Sequence, residues 1–505
     1  MPIPRSRRLT GGVLSAAMAV GIAVAALPAV APAASAYDLP DFPLTAIGPE
    51  RDPAKPDIVV IDAGGTLAST AQDRISYLHY GSAVPGGVQQ ILEDMYPELA
   101  AVANLSVAKS PGSLGSSSRV TSQTLYEISR ETDALLADPE IDGVVVTAGT
   151  SVMEEDAYFL DLTVQSPKPV VVTGSMHQYG TFTYDAYTNL FSSIRLAASQ
   201  KTNCYGTVVL MNDQFFAARD VTKTDGYRMD TFESALYGPL GVVNEDNIRP
   251  MRAPARVMAC GTDAWHTPFD LSTVSPEQFP QVDVVGAYVE ASAATISGPV
   301  DAGAKGIVTA GEGPGGLSST QSAARTDAIA KGVLFVAATR TGGEGEYDAG
   351  TAGVIGAADL RPIKARLLLQ MGLTFSSDQE QIRSWFGTIG AAEFDLSGAT
   401  AVTPEPTTEP TAEPTAEPTN EPSAEPSATP APTDAASAEP TPSASSAALP
   451  ISNDDDGPGG LAYTGLAVGG LVALAALLLA VGALTIWRER IMRWREERRL
   501  VGEHS

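Results

Sequence analysis

The sequence predicts an α/β protein: a larger N-terminal domain on a parallel sheet, a smaller C-terminal α/β domain, then a disordered stalk and one transmembrane helix. Three observations predict it. Between residues 50 and 395, short apolar runs alternate with helix-length amphipathic stretches, the pattern of strands buried on both faces by crossover helices. The leading apolar runs end in turns of small residues, where ligands of parallel sheets bind. Both ends of the chain break the pattern with segments too basic, too proline-rich or too continuously apolar for a packed domain.

Taken in order, residues 1–36 open with MPIPRSRR, continue through an apolar stretch and close on APAASA. A basic start, an apolar middle and a small-residue A-x-A end predict a secretory signal peptide cut after Ala36. Residues 56–250 hold the N-terminal domain. Within it DIVVIDAGGT (57–66), GVVVTAGTS (143–151) and PVVVTGS (169–175) are strands running into small-residue turns. Helices are expected over 122–136 and 154–162 between them. Residues 251–278 read as a linker and 279–397 as the C-terminal domain.

Residues 402–460 form the expected stalk. Its portion 402–450 repeats E-P-T/S with alanine and carries eight acidic residues and no lysine or arginine. Recurrent proline blocks helix and sheet ladders, and like charges repel, so an extended chain follows. At about 3.1 Å per residue it would reach roughly 150 Å, enough to cross a cell wall. LAYTG (461–465) comes next, then 22 uncharged residues (466–487), then a tail (488–505) with six arginines. The apolar run is long enough to span a bilayer, and the arginines mark its cytoplasmic end. Pentapeptide, apolar span and basic tail together resemble a sortase sorting signal of the LAxTG type. That resemblance implies cleavage between Thr464 and Gly465 and joining to peptidoglycan; a plain membrane anchor is the alternative. Either reading leaves the folded region outside the cell.

The net charge of −27 argues against nucleic acid as a partner, because phosphate neutralisation needs clustered lysine and arginine. Solubility explains that charge adequately. Cys204 and Cys260 are the only cysteines: one disulfide is open to them, a disulfide scaffold is not. The four histidines lack the spacing of a zinc site, so no metal and no histidine-based triad is expected. Catalysis would rest on hydroxyls, carboxylates and lysine.

Four blocks carry a further resemblance. AGGTLAS (63–69), AGTSVMEEDAYFLDLTV (148–164), MNDQFFAARDVTKTD (211–225) with YGPLG (237–241), and LRPIKARLLLQ (360–370) resemble, in the same order, the signature blocks of the L-asparaginase family. The resemblance covers about residues 56–390. It implies hydrolysis of asparagine to aspartate and ammonia through an acyl-threonine, without a cofactor. It also implies active sites formed between subunits of a homodimer or homotetramer.

By that resemblance Thr66, closing the first glycine turn, is the nucleophile, where a helix-capping threonine would otherwise be expected. Tyr80 is the assisting loop tyrosine, with Tyr77 as its rival. Thr150 and Lys223 form the second catalytic pair, the lysine serving as proton acceptor if burial lowers its pKa. Ser117, flanked by Ser116 and Ser118, stands where a serine meets the substrate carboxylate. Glu346, with Glu344 as rival, stands where a glutamate reaches into a neighbouring subunit's site.

The chain also departs from the family. Ser151 replaces an aspartate that pairs with the substrate's α-ammonium, and serine brings no charge. Glu290 stands where many members have asparagine and would supply the missing negative charge. Ala148 and the run Met176, His177, Gln178 alter the pocket floor. Two functions therefore compete: an amidohydrolase acting on asparagine or another small amide, and a non-catalytic surface protein that binds a ligand or partner in the old pocket.

Overall fold

The computed structural model describes residues 37–49, 51–110, 119–245 and 247–394. The expected signal peptide, Ser117, the stalk, LAYTG, the 466–487 span and the basic tail lie outside the described residues. Among the described residues no helix is long and apolar enough to cross a membrane.

The chain opens with β1 (Leu44–Ile47) and β2 (Asp57–Asp62), then a small hairpin of β3 (Ser69–Ala71) and β4 (Tyr80–Ala83). Helices α1 (Gly87–Asp94) and α2 (Tyr96–Leu99) lead to β5 (Asn104–Lys109). Then α3 (Ser122–Ala137), β6 (Gly143–Thr147), α4 (Met153–Thr163), β7 (Val170–Thr173), α5 (Ala186–Ala198) and β8 (Thr207–Met211) alternate. Strands β9 (Gln214–Ala217), β10 (Thr222–Lys223), β11 (Phe232–Glu233), β12 (Gly241–Val243) and β13 (Ile248–Pro250) complete this half.

The large sheet has the order β1-β5-β2-β6-β7-β8-β9-β12-β13. Only its middle is parallel: β5, β2, β6, β7 and β8 run together, while β1 and the β9-β12-β13 meander are antiparallel. The expectation of a parallel sheet is thus corrected to a mixed one. The reversal occurs at Asn212 and Asp213, whose φ values of 50° and 64° form the two-residue, left-handed turn that joins tight hairpins.

Alternation along β2 shows the two buried faces. Ile58 and Val60 pack with Ile91, Leu190 and Ile194 on one side, and Val59 and Ile61 with Ile128 and Leu160 on the other. The second half has β14 (Val282–Gly286), α6 (Ala294–Asp301), β15 (Gly306–Gly311), α7 (Ser319–Ala330), β16 (Leu334–Thr339), β17 (Val354–Gly356), α8 (Pro362–Phe375) and α9 (Gln379–Thr388). Its four strands are parallel and lie in sequence order.

A shared core joins the halves: Tyr126, Tyr158 and Phe159 of α3 and α4 pack with Leu334, Leu367 and Leu368. A Cys204–Cys260 disulfide, Cα atoms 5.6 Å apart, adds a covalent tie across 56 residues. Closing a loop of that length removes on the order of 4 kcal/mol of unfolded-chain entropy in the simplest model.

Candidate active site

The crevice lies at the C-terminal ends of neighbouring parallel strands. Strand β2 ends at Asp62, buried, whose Oδ1 accepts the Gly64 N–H at 3.0 Å; burial pushes that carboxyl upward in pKa. Gly64 and Gly65 follow with φ of 85° and 105°, a backbone region nearly closed to other residues. They turn the chain so that Thr66, 6 % exposed, begins a single 3-10 turn. The adjacent strand β6, in register with Asp62 opposite Thr147, runs through Ala148 and Gly149 to Thr150, also buried. Gly65 presses on that second turn, and a β-carbon there would meet the Ala148 carbonyl oxygen at 2.8 Å. Two threonine-bearing turns are thereby closed against each other.

Each threonine has a partner from a hairpin. The Thr66 and Tyr80 hydroxyls are 3.1 Å apart. Tyr77 sits elsewhere: its ring stacks on His177 with centroids 4.3 Å apart. Lys223 Nζ donates to Thr150 Oγ1 at 3.0 Å. The lysine is half-buried, and desolvation lowers its pKa from the ordinary value, against an opposing pull from Asp225.

Other expected site residues stand apart from these pairs. Ser151 is exposed beside Thr150. Glu290 is exposed at φ 59° in the turn after β14. Glu346 lies over Gly315, where a β-carbon would come within 2.8 Å of its Oε2. Neither Glu290 nor Glu346 shares a hydrogen bond with Thr66, Thr150 or Lys223 of its own chain. Among the described residues, no cluster of three histidine, cysteine, aspartate or glutamate side chains is placed to hold a metal ion.

Several supporting residues escaped the sequence reading. Glu154, buried one turn after Thr150, accepts the Lys223 N–H at 3.4 Å. Lys364, fully buried in α8, donates to the carbonyls of Ala218, Arg219 (3.0 Å) and Val221, just upstream of Lys223. Desolvation pushes its ammonium down to about 8. Arg219 makes a two-pronged pair with Asp359 at 2.7 and 2.8 Å. Their only sequence signal was a charge inside otherwise apolar or motif-rich blocks.

Family models place the same architecture in context. The asparaginase N-terminal model matches residues 57–256, and the glutaminase/asparaginase C-terminal domain model matches 281–386. L-asparaginase 2 of Bacillus subtilis is 35 % identical over 334 residues, covering 66 % of this chain and 86 % of that protein. The chain belongs to the asparaginase family. A probable periplasmic L-asparaginase of Haemophilus influenzae is 31 % identical, over 66 % of this chain and 92 % of its own length. The crystal structure of a probable cytoplasmic L-asparaginase from Campylobacter jejuni superposes with a TM-score of 0.60 at 30 % identity, covering 66 % of this chain and 99 % of that one. This asparaginase-family chain is an asparaginase-like amidohydrolase, and its described residues hold the family's two-domain α/β fold on a mixed sheet.

Proposed function

We propose that the protein is a cell-surface amidohydrolase that cleaves the side-chain amide of asparagine, or of a related small amide, through an acyl-enzyme on Thr66. The observation that carries this reading is the paired geometry: Thr66 with Tyr80, and Thr150 with Lys223, on turns packed against each other. Tyr80 is placed to relay the Thr66 proton as Oγ1 attacks the amide carbon. The C–N bond then breaks, and the nitrogen leaves with that proton as ammonia. Water attacks the resulting ester, giving its proton to the Thr150–Lys223 pair, and releases carboxylate and free Thr66. A neutral lysine is needed for that step, and the desolvation of Lys223 favours it.

Export is supported by the signal-type N-terminus, by the Cys204–Cys260 disulfide, which suits an oxidising compartment, and by the periplasmic name of one relative. Sortase with peptidoglycan, or the membrane alone, would hold the C-terminus. Protease accessibility on intact cells and wall fractionation with and without Thr464→Ala distinguish these. A dimer or tetramer follows if Glu290 and Glu346 complete a neighbouring copy's site, since neither bonds the catalytic pairs of its own chain; a monodisperse monomer in sedimentation would count against it.

The non-catalytic alternative draws on Ser151 and Ala148, which leave the crevice without the family's charged anchor. Ammonia release by the purified full chain and by Thr66→Ala separates the two. The enzyme reading expects a loss of roughly 10³-fold or more in the variant; equal rates would leave only binding.

A further inference from the structure

A second cleft of about 390 Å³ opens beside the catalytic crevice, lined by Tyr77, His177, Asn212, Tyr227, Arg228 and Asp230 among others. Two of its walls belong to the hairpins that carry Tyr80 and Lys223. Tyr77 lies in the β3–β4 connection, three residues before Tyr80, and three residues span at most about 11 Å. Tyr227 lies in the β10–β11 connection that starts at Lys223, while His177 and Asn212 follow β7 and β8. The cleft therefore sits on the same C-terminal edge of the sheet as Thr66 and Thr150, over the neighbouring strands β7 and β8, with Tyr77 and Tyr227 tying it to the loops of Tyr80 and Lys223.

Its chemistry is selective. His177 is 6 % exposed, and its Nδ1 faces the Thr183 hydroxyl at 2.7 Å and the Thr183 carbonyl at 3.2 Å. A carbonyl only accepts, so the tautomer with hydrogen on Nδ1 fits, leaving Nε2 a lone pair. That Nε2 is buried and has no hydrogen-bond partner, an arrangement that costs on the order of 1–3 kcal/mol unless something occupies it. Tyr77 and Tyr227 remain 41 % and 65 % exposed as residues, although one face of the Tyr77 ring lies on His177. Arg228 and Asp230 neutralise each other at 2.9 Å on the rim. An unmet N–H acceptor, two exposed rings and no net charge suit a planar, neutral group with an N–H: an acyl or peptide amide. Ser151, beside Thr150, likewise offers a hydrogen bond but no counter-charge for a free ammonium.

We infer that the cleft is a subsite for the acylated α-nitrogen side of the substrate, so that the amide cleaved belongs to an N-acylated or peptide-linked asparagine or glutamine. This rests on the proposed crevice at Thr66 and specifies what it admits. Calorimetric titration of the full chain carrying Thr66→Ala, with N-acetyl-L-asparagine and with L-asparagine, reads the preference without turnover. The N-acetyl compound should bind about ten-fold more tightly. Adding Tyr227→Ala should remove most of that preference, and Tyr227→Phe, which keeps the ring, should retain it. Equal or tighter binding of free asparagine, as a neighbour's Glu290 would produce, overturns the inference, and so does a preference indifferent to Tyr227→Ala. Failure of the catalytic reading shows separately, as equal ammonia release with and without Thr66, and leaves the binding comparison decisive.

Discussion

Gly65 and Gly149 stand backbone to backbone: a β-carbon on Gly65 would fall 2.9 Å from the Gly149 Cα. The turn carrying Thr66 and the turn carrying Thr150 are therefore spaced by the absence of one methyl group. Gly65→Ala meets both a φ of 105° and that contact, a strain of about 1–3 kcal/mol. Relief has to come from separating the two turns. Ammonia release should fall about 10²-fold, the cost of a displacement near 1 Å, while far-UV circular dichroism stays native. An unchanged kcat in the folded variant would show that the spacing is not catalytic.

With Lys223 as the proposed proton acceptor, amide hydrolysis acquires a pH dependence of definite sign. Burial disfavours the lysine's ammonium form and lowers its pKa from 10.5, so the neutral amine gains population as pH rises. The kcat for amide hydrolysis should climb with pH through a midpoint below 10.5 and then level off. Lys223→Met should remove the climb and lose roughly 10²–10⁴-fold in kcat. Lys223→Arg should not rescue it, because a guanidinium stays protonated. A pH profile identical in Lys223→Met would remove the lysine from the mechanism.

Lys364 braces, from the other domain, the stretch that leads into Lys223. Its ammonium gathers the carbonyls of Ala218, Arg219 and Val221, and the strand bearing Lys223 starts one residue later. Lys364→Met should therefore lower kcat about ten-fold or more with little change in KM, since the group aimed is a proton acceptor. The buried lysine also carries a stability signature. Its pKa is near 8 in the fold against 10.5 ordinarily, so the unfolded chain binds more protons between those values. Its contribution to stability should rise across that window and be smallest below pH 8. If kcat stays whole while the melting temperature drops, Lys364 braces the domains without aiming Lys223.

The fold was legible where local pattern decides it. DIVVID, GVVVT and VVVT read as buried strands because β-branched residues crowd a run bounded by small-residue turns, and they became β2, β6 and β7. The reversal after β8 was missed because Asn212 and Asp213 were read as part of a motif and not as turn chemistry. The four blocks pointed to the family and named Thr66, Thr150 and Lys223, but the choice between Tyr77 and Tyr80 turned on how one irregular loop lies, which has no period to read. Arg219 and Asp359 meet across 140 residues of chain, so no local window contains the pair. Glu290 and Glu346 share no hydrogen bond with Thr66, Thr150 or Lys223 of their own chain, so no contact within one chain marks either of them in the sequence.

Asp133 offers a test of the fold that is independent of catalysis. It lies in α3 and accepts the Gln165 N–H at 2.8 Å. Desolvation still dominates, with Asp270 adding repulsion and Arg130 opposing, and raises its carboxyl from 3.8 to about 6. The folded state therefore holds a proton that the unfolded chain has released between those values. The stability this contributes is full below pH 3.8 and lost as pH rises through 6, at most about 3 kcal/mol. Asp133→Asn keeps an acceptor for Gln165 and removes the titration. Measured from pH 4 to pH 7, the difference in melting temperature should move steadily in the variant's favour, with most of the change complete near pH 6.5. A difference that is flat across that range would mean the carboxylate is better solvated than its burial implies.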